Sequence, residues 1–370
     1  MPAVEPRTVR YELRQIHCRG DAAELGRQQG EAERERIAAF VDQRLSALGE
    51  YCRERGVADP IERFVATGRA CLDAAERWDP EGATEHAGIA SGANQDAALL
   101  YAVANMTDVR DVLLLPAPAD EGCSAFILPP ELTRHGELVA AQTWDLNPDD
   151  LDYIVAVHRR PARGPETWSV TCSGCLSLVG MNDRGLCVGT TNIKLWGSRP
   201  GVGYLSLLHR ALCARDRAEA KRVFETAPRA AAHTYWAADA QGAVELECGP
   251  DSTAARELDA KPLLRTNHCL VPEHVARQGE PPTSSSRRRL ERLGELVSSG
   301  GHDERSARLL FSDRSDGVDS INRYPEDEQG TSTNACVVFR PRARAMWACR
   351  GPADRGRWYE LGWGAGAGSG

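Results

Sequence analysis

The spacing of hydrophobic positions changes character twice along this 370-residue chain. Between residues 20 and 110 apolar residues recur every three to four positions, the period of an amphipathic helix. The first such segment, 21–41, opens on Asp21 with Glu24 three residues later, the pair that caps a helix N-terminus. Segments around 60–78 and 92–112 carry Ala and Leu at the same spacing. Residues 115–122 are acidic and rich in proline and read as an exposed connection.

From Cys123 to about Gly189 the pattern shifts to short strand-like runs broken by turn residues. Residues 123–128 and 137–145 are two such runs, with a turn at 134–136. Asn182-Asp-Arg-Gly185 joins 176–181 to 186–191 as a hairpin, and Asp239-Ala-Gln-Gly242 joins 235–238 to 243–247 as another. Between the hairpins, 204–226 reads as one or two helices, and 286–296 and 304–311 as two more. The last strands are 335–339 and 343–349, and the low-complexity tail 362–370 is expected to be disordered. Strands, then helices, then strands again predict an α+β protein of antiparallel sheets with helices on their outer faces.

Composition narrows the classes of function. A chain this long with 42% hydrophobic residues can bury a large core in one or two domains. A net charge of −8 disfavours nucleic acid as a partner. No run approaches 18 uncharged apolar residues, so no membrane partner is expected. The first residues carry charges where a signal peptide needs an apolar stretch, which predicts a cytoplasmic location. The twelve cysteines are scattered and form no disulfide framework. The pair Cys172-Ser-Gly-Cys175 reads as structural thiols, with a zinc site as the rival that would require bound metal.

One cysteine stands apart. Cys123 follows Gly122 at the junction of a loop and a strand, with Asp145 on the next strand. If the bond before Cys123 were cut, its thiol and its new α-amine would belong to one residue. An α-amine titrates at about 7.7–8.0 and a free thiol at about 8.5, so the amine is a ready base near neutral pH. Gly122 suits the cutting step, since a residue without Cβ lets the thiol reach the preceding carbonyl in an N-to-S acyl shift. Asp145 is the candidate to orient the amine. Asn192 and Asn267 are candidate amide donors to a tetrahedral oxyanion. His268, beside Asn267, reads as a structural hydrogen-bonding residue because the α-amine already supplies the base. Trp144 and Trp196 are candidates to line an acyl pocket, against the commoner role of Trp in a core.

Six segments carry a family resemblance in their order along the chain. They are Glu24-Leu-Gly-Arg-Gln-Gln-Gly-Glu31, Glu121-Gly-Cys-Ser124, Gln142-Thr-Trp-Asp145, the run from Gly180 to Asn192 with Thr266-Asn-His268, and Ser285-Ser-Arg-Arg-Arg289. Together they resemble the isopenicillin N acyltransferase-like family of amino-terminal-nucleophile hydrolases, the acyl-coenzyme A:6-aminopenicillanate acyltransferase and β-alanyl-dopamine hydrolase type. The resemblance implies a four-layer αββα sandwich and autocleavage at Gly122–Cys123. It implies a leader, 1–122, that stays associated with a catalytic chain, 123–370, as a heterodimer. It further implies hydrolysis or transfer of the acyl group of a small N-acyl amine or peptide-like substrate through a Cys123 thioester, with no cofactor and with acyl-coenzyme A only as a substrate. Arg289 is the best-matched arginine of the site, with Arg287 and Arg323 as rivals, because the related bile-salt and penicillin V hydrolases carry an Arg where this chain has Gln142. The reading from another class is an uncleaved, non-catalytic protein that binds a small molecule or a partner on the same scaffold.

Overall fold

The computed structural model describes residues 11–114, 122–279, 281–327 and 330–363. Of the expected exposed connection only Gly122 falls within these, and the tail beyond 363 lies outside them. The chain opens on strand β1 (Arg14–Gly20), followed by helices α1 (Ala22–Ala32), α2 (Arg34–Glu54), α3 (Pro60–Trp78), α4 (Pro80–Ala93), α5 (Ala97–Ala104) and α6 (Met106–Leu114). Strands β2 (Gly122–Leu128), β3 (Val139–Leu146), β4 (Ile154–Pro161), β5 (Thr167–Cys172), β6 (Val179–Asn182) and β7 (Cys187–Asn192) come next. Helices α7 (Tyr204–Leu212) and α8 (Arg217–Thr226) precede β8 (His233–Asp239), β9 (Gly242–Cys248), β10 (Thr253–Glu257) and β11 (Leu263–Arg265). The described part closes with α9 (Pro272–Val275), α10 (Ser284–Val297), α11 (Glu304–Phe311), β12 (Ser332–Arg340), β13 (Ala345–Arg350) and β14 (Trp358–Glu360).

The strands form two sheets, one ordered β1-β4-β5-β6-β7-β8-β9-β10 and the other β11-β2-β3-β12-β13-β14. Their inner faces share a core in which Cys123, Ala125 and Trp144 of the smaller sheet meet Val179, Val188 and Trp236 of the larger. Helices α7 and α8 pack on the larger sheet, and α10 and α11 cover the smaller one with Leu293, Val297, Ala307 and Phe311. The result is the expected α+β sandwich of two sheets between helical layers.

The part before Cys123 carries the expected helices and adds a strand that the sequence did not predict. It begins with β1, which pairs in parallel with β4 over seven residues, Ile16 opposite Val157. Helix α1 then crosses α4 with the two backbones in contact. A Cβ on Gly26 or Gly30 would come within 2.0 and 2.2 Å of α4 carbonyl oxygens, and one on Gly88 or Gly92 within 2.5 and 2.4 Å of α1 carbonyls. This is the physical content of the glycine-punctuated segment at 24–31: residues without side chains at four-residue spacing let one helix lie directly on another. The tail is also ordered further than predicted. Trp168 Nε1 donates to Gly362 O at 3.0 Å and Trp363 Nε1 to Arg344 O at 2.7 Å.

Candidate functional site

Every residue of β2 is buried. Its alternation sends Cys123, Ala125 and Ile127 into the intersheet core, and Phe126 and Leu128 into the core beneath α10 and α11. On β3, Asp145 stands opposite Gly122 and Trp144 opposite Cys123. A Cβ at residue 122 would lie 2.8 Å from Arg323 Nη1 and 3.1 Å from Asp145 Oδ2, so any larger residue there displaces one of them. The glycine is needed for close approach rather than for an unusual backbone angle.

Asn267 and Arg289 complete the surroundings of Cys123. Asn267 follows β11 and is fixed by Ser286, whose hydroxyl accepts its N–H at 2.9 Å. Its Oδ1 accepts from Cys123 N at 2.7 Å and from Arg289 Nη2 at 3.0 Å. Two donors on one atom identify that atom as the amide oxygen, so Nδ2 is the atom that donates to Asn192 O at 3.1 Å. With the chain intact, Asn267 therefore accepts from the Cys123 nitrogen instead of presenting a free donor. At the Cys123 cavity it is Asn192, the last residue of β7, whose buried Nδ2 has no hydrogen-bond partner among the described residues.

Helix α10 delivers its arginine through its first turns. Thr283 Oγ1 caps the helix by accepting from Ser286 N at 3.1 Å, and Ser285 Oγ accepts from Arg289 Nε at 3.2 Å. Arg289 Nη1 then donates to Cys123 O at 2.5 Å and to Ser124 Oγ at 3.0 Å. Arg323 joins from the other side, donating to Ser285 Oγ and, at 2.5 Å, to Thr331 Oγ1. Of the three arginine candidates, Arg289 and Arg323 are buried at the site and Arg287 is exposed on the opposite side of α10.

These charges set the electrostatics. Asp145 is fully buried, with Arg323, Arg289, Thr333 and Thr143 around its carboxylate. Burial raises its pKa, and Arg323 and Arg289 offset part of that rise. Burial and the neighbouring Arg323 lower the Arg289 guanidinium to about 9, which leaves it charged at neutral pH. His268 hydrogen-bonds Ser286 Oγ at 2.7 Å, and burial followed by Arg265 and Arg289 pushes it down to about 4. It has the structural role read from the sequence.

Cys123, Trp144, Asp145, Leu178 and Asn192 border a cavity of about 30 Å³. Trp144 thus lines it, whereas Trp196 is 46% exposed elsewhere. The far wall is made by Thr107 of α6, Tyr204 and His233. Sequence reasoning missed this wall. His233 is the first residue of β8, opposite Asn192, and its Nε2 lies 2.6 Å from Asp108 Oδ1, 125 residues away in sequence. Its Nδ1 is buried without a hydrogen-bond partner among the described residues, as is Thr107 Oγ1. Nothing local in the sequence marks such a pair. The strand read from the sequence starts at 235, and only the start of β8 two residues earlier puts His233 across from Asn192.

A far larger cavity, about 650 Å³, lies elsewhere, bordered by Gly20, Leu25, Asp79, Glu85, Arg159 and His209 among others. It shares no bordering residue with the Cys123 cavity. Among the described residues no group of three or more His, Cys, Asp or Glu side chains is arranged to hold a metal ion. Cys172 and Cys175 are buried and their thiols are pushed up by that burial. Among the described residues no helix is long and apolar enough to cross a membrane.

Comparison with known proteins bears on this geometry. The family model for acyl-coenzyme A:6-aminopenicillanic acid acyl-transferase matches residues 132–355. That stretch holds Asp145, Asn192, Asn267, Arg289 and Arg323 and begins after Cys123. No curated protein matches the chain. Among solved structures, the chain is similar to a Caenorhabditis elegans ortholog of N-acylethanolamine-hydrolyzing acid amidase, at 14% identity over 59% of this chain and 93% of that one, with a TM-score of 0.44. It is similar to a variant of conjugated bile acid hydrolase from Clostridium perfringens, at 11% identity over 65% and 97% of the two chains, with a TM-score of 0.44. Penicillin V acylase from Agrobacterium tumefaciens is similar at 13% identity over 65% and 86%, with a TM-score of 0.34. With a family match over more than half its length, the chain belongs to the acyl-coenzyme A:6-aminopenicillanic acid acyl-transferase family of amino-terminal-nucleophile hydrolases.

Proposed function

We propose that the chain is a self-processing cysteine amidohydrolase or acyltransferase, with a leader, 1–122, and a catalytic part, 123–370, that remain associated after cleavage. The observation that carries this reading is the seating of the Gly122–Cys123 bond. Its nitrogen is held by Asn267, the next carbonyl by Arg289, and its glycine rests against Arg323 and Asp145. In the cleavage step the Cys123 thiol attacks the Gly122 carbonyl and the C–N bond breaks. The nitrogen takes up a proton, and water hydrolyses the resulting thioester. Cys123 then carries a free thiol and a free α-amine.

In turnover the α-amine takes the thiol proton as sulfur attacks the substrate carbonyl, and later delivers it to the departing amine. Asn267 Oδ1 and the buried Asp145 carboxylate hold that amine. Asn192 Nδ2 is the donor free to meet the oxyanion, a contact of roughly 3–4 kcal/mol in the barrier. The acyl group passes from Cys123 to water or to a second amine. The substrate class is a small N-acyl amine.

Intact mass spectrometry of the wild type and Cys123→Ala tests the reading. The expected result is a wild type cut into two pieces, the larger beginning at Cys123, beside an uncut and inactive variant. A folded wild type that stays whole would overturn it and favour the non-catalytic binding protein.

A further inference from the structure

The mechanism uses Cys123, Asp145, Asn192, Asn267 and the two arginines, yet leaves the far wall of the same cavity without a role. Two polar atoms there lack hydrogen-bond partners among the described residues, His233 Nδ1 and Thr107 Oγ1. A buried polar atom left unpaired costs about 1–3 kcal/mol, so two of them beside a nucleophile call for a ligand. The histidine is only 2% exposed and is held rigidly. Its ring stacks on Tyr204 with centroids 4.6 Å apart, and its Nε2 meets Asp108 Oδ1 at 2.6 Å. The second Asp108 oxygen accepts from Tyr204 N at 2.9 Å, so the carboxylate is fixed at both ends. A carboxylate only accepts, which places a ring proton on Nε2; in the neutral ring Nδ1 then carries the lone pair.

Resting on the proposed function, we propose that His233 Nδ1, with the Thr107 hydroxyl beside it, receives a hydrogen-bond donor carried by the substrate's acyl group, a hydroxyl or amine close to the carbonyl. The acyl side is the one concerned, because the acyl group stays on sulfur while the amine leaves, and this cavity is walled by Cys123 itself. Its volume of about 30 Å³ suits a short group. Asp108 is a positioning residue acting through the ring. The leader, which supplies Thr107 and Asp108, would therefore take part in substrate selection.

Two p-nitrophenyl esters test this, the glycolyl and the propionyl ester, which differ by a hydroxyl in place of a methyl. Their shared activated leaving group removes the amine from the comparison. Mass spectrometry of the same preparations records cleavage before Cys123. Cut wild-type protein is expected to prefer the glycolyl ester roughly tenfold or more in kcat/KM relative to the spontaneous rates of the two esters. His233→Phe, which keeps a ring on Tyr204, is expected to collapse that ratio towards one. Thr107→Val, a change of equal size, should lower it less and serves where His233→Phe does not fold. A cut wild type that shows no preference, that acylates with neither ester, or whose preference survives both substitutions overturns the subsite alone. A folded wild type that stays uncut overturns the hydrolase reading and this subsite with it.

Discussion

The cavity of about 650 Å³ beside Glu85 and the one of about 30 Å³ beside Cys123 differ about twentyfold in volume, and their polar groups differ in the opposite sense. Beside the large cavity the buried charge of Glu85 is matched on two sides. Arg159 donates to Glu85 at 2.6 Å, to Ser169 Oγ at 2.8 Å and to Gln29 Oε1 at 2.9 Å, and His209 lies 3.4 Å from the same glutamate. In the small one Asn192 Nδ2, Thr107 Oγ1 and His233 Nδ1 have no hydrogen-bond partner among the described residues. A protein interior tolerates unpaired polar atoms only where something else will pair with them. The small cavity thus holds unpaired groups that the proposed chemistry would use, and the paired charges beside the large one fit a structural role.

The largest effect expected from testing this contrast is on the scaffold side. Glu85→Gln leaves the Arg159 guanidinium buried without its anion and should cost about 3–5 kcal/mol of stability, read from denaturant midpoints. Turnover per folded molecule should not change. Against the burial that would raise it, Arg159 and His209 hold the Glu85 carboxyl at about 2, from an ordinary 4.5. A depressed folded value means that its stabilisation is complete above pH 4.5 and is lost as pH falls towards 2. Glu85→Gln should flatten that part of the acid-unfolding profile, and an unchanged profile would break the account of a matched scaffold. Asp145 carries the reverse sign, since its raised pKa makes its burial a cost that acid relieves.

On the side of chemistry, Asn192→Ala should lower the acylation rate by about 10²–10³, as removal of one oxyanion donor does, with little change in stability. A loss in stability that matches the loss in rate would show the amide to be structural and erase the difference between the cavities. The smallest effect expected is a third kind, belonging to neither. Gly30→Ala forces α1 off α4 and should cost about 1–3 kcal/mol by overpacking, seen as a lower thermal midpoint. Since the clash is with the backbone of α4, no side chain can move to relieve it.

Local pattern carried much of the architecture. The segments 60–78 and 304–311 match α3 and α11 residue for residue, and both sequence-read hairpins form. These elements are fixed by near neighbours, by caps such as Asp303 and by turns such as Asn182-Asp-Arg-Gly185. What escaped depends on distant partners. Strand β1 is short and charged, and is a strand because β4, some 140 residues on, accepts it as a parallel edge. Gly362 and Trp363 sit in a glycine-rich tail and are ordered by Trp168 and Arg344. At the site, Cys123, Asp145, Asn192, Asn267 and Arg289 were legible as residues and do converge. Their division of labour was not, because which Asn267 atom faces Cys123 depends on Arg289 and Asn192 together. The Asp108–His233 pair left no trace, since neither residue has a local reason to be where it is.

The parallel edge made by β1 also bears on what a break in the chain would do. A cut at Gly122–Cys123 would sever β2 after its first residue, opposite Asp145, and leave the seven-residue ladder to β4 and the backbone contact of α1 with α4 in place. To leave, the leader would have to unzip from the sheet while baring its own apolar faces to water. The two pieces would come apart at the pace of unfolding, and dilution alone would not separate them.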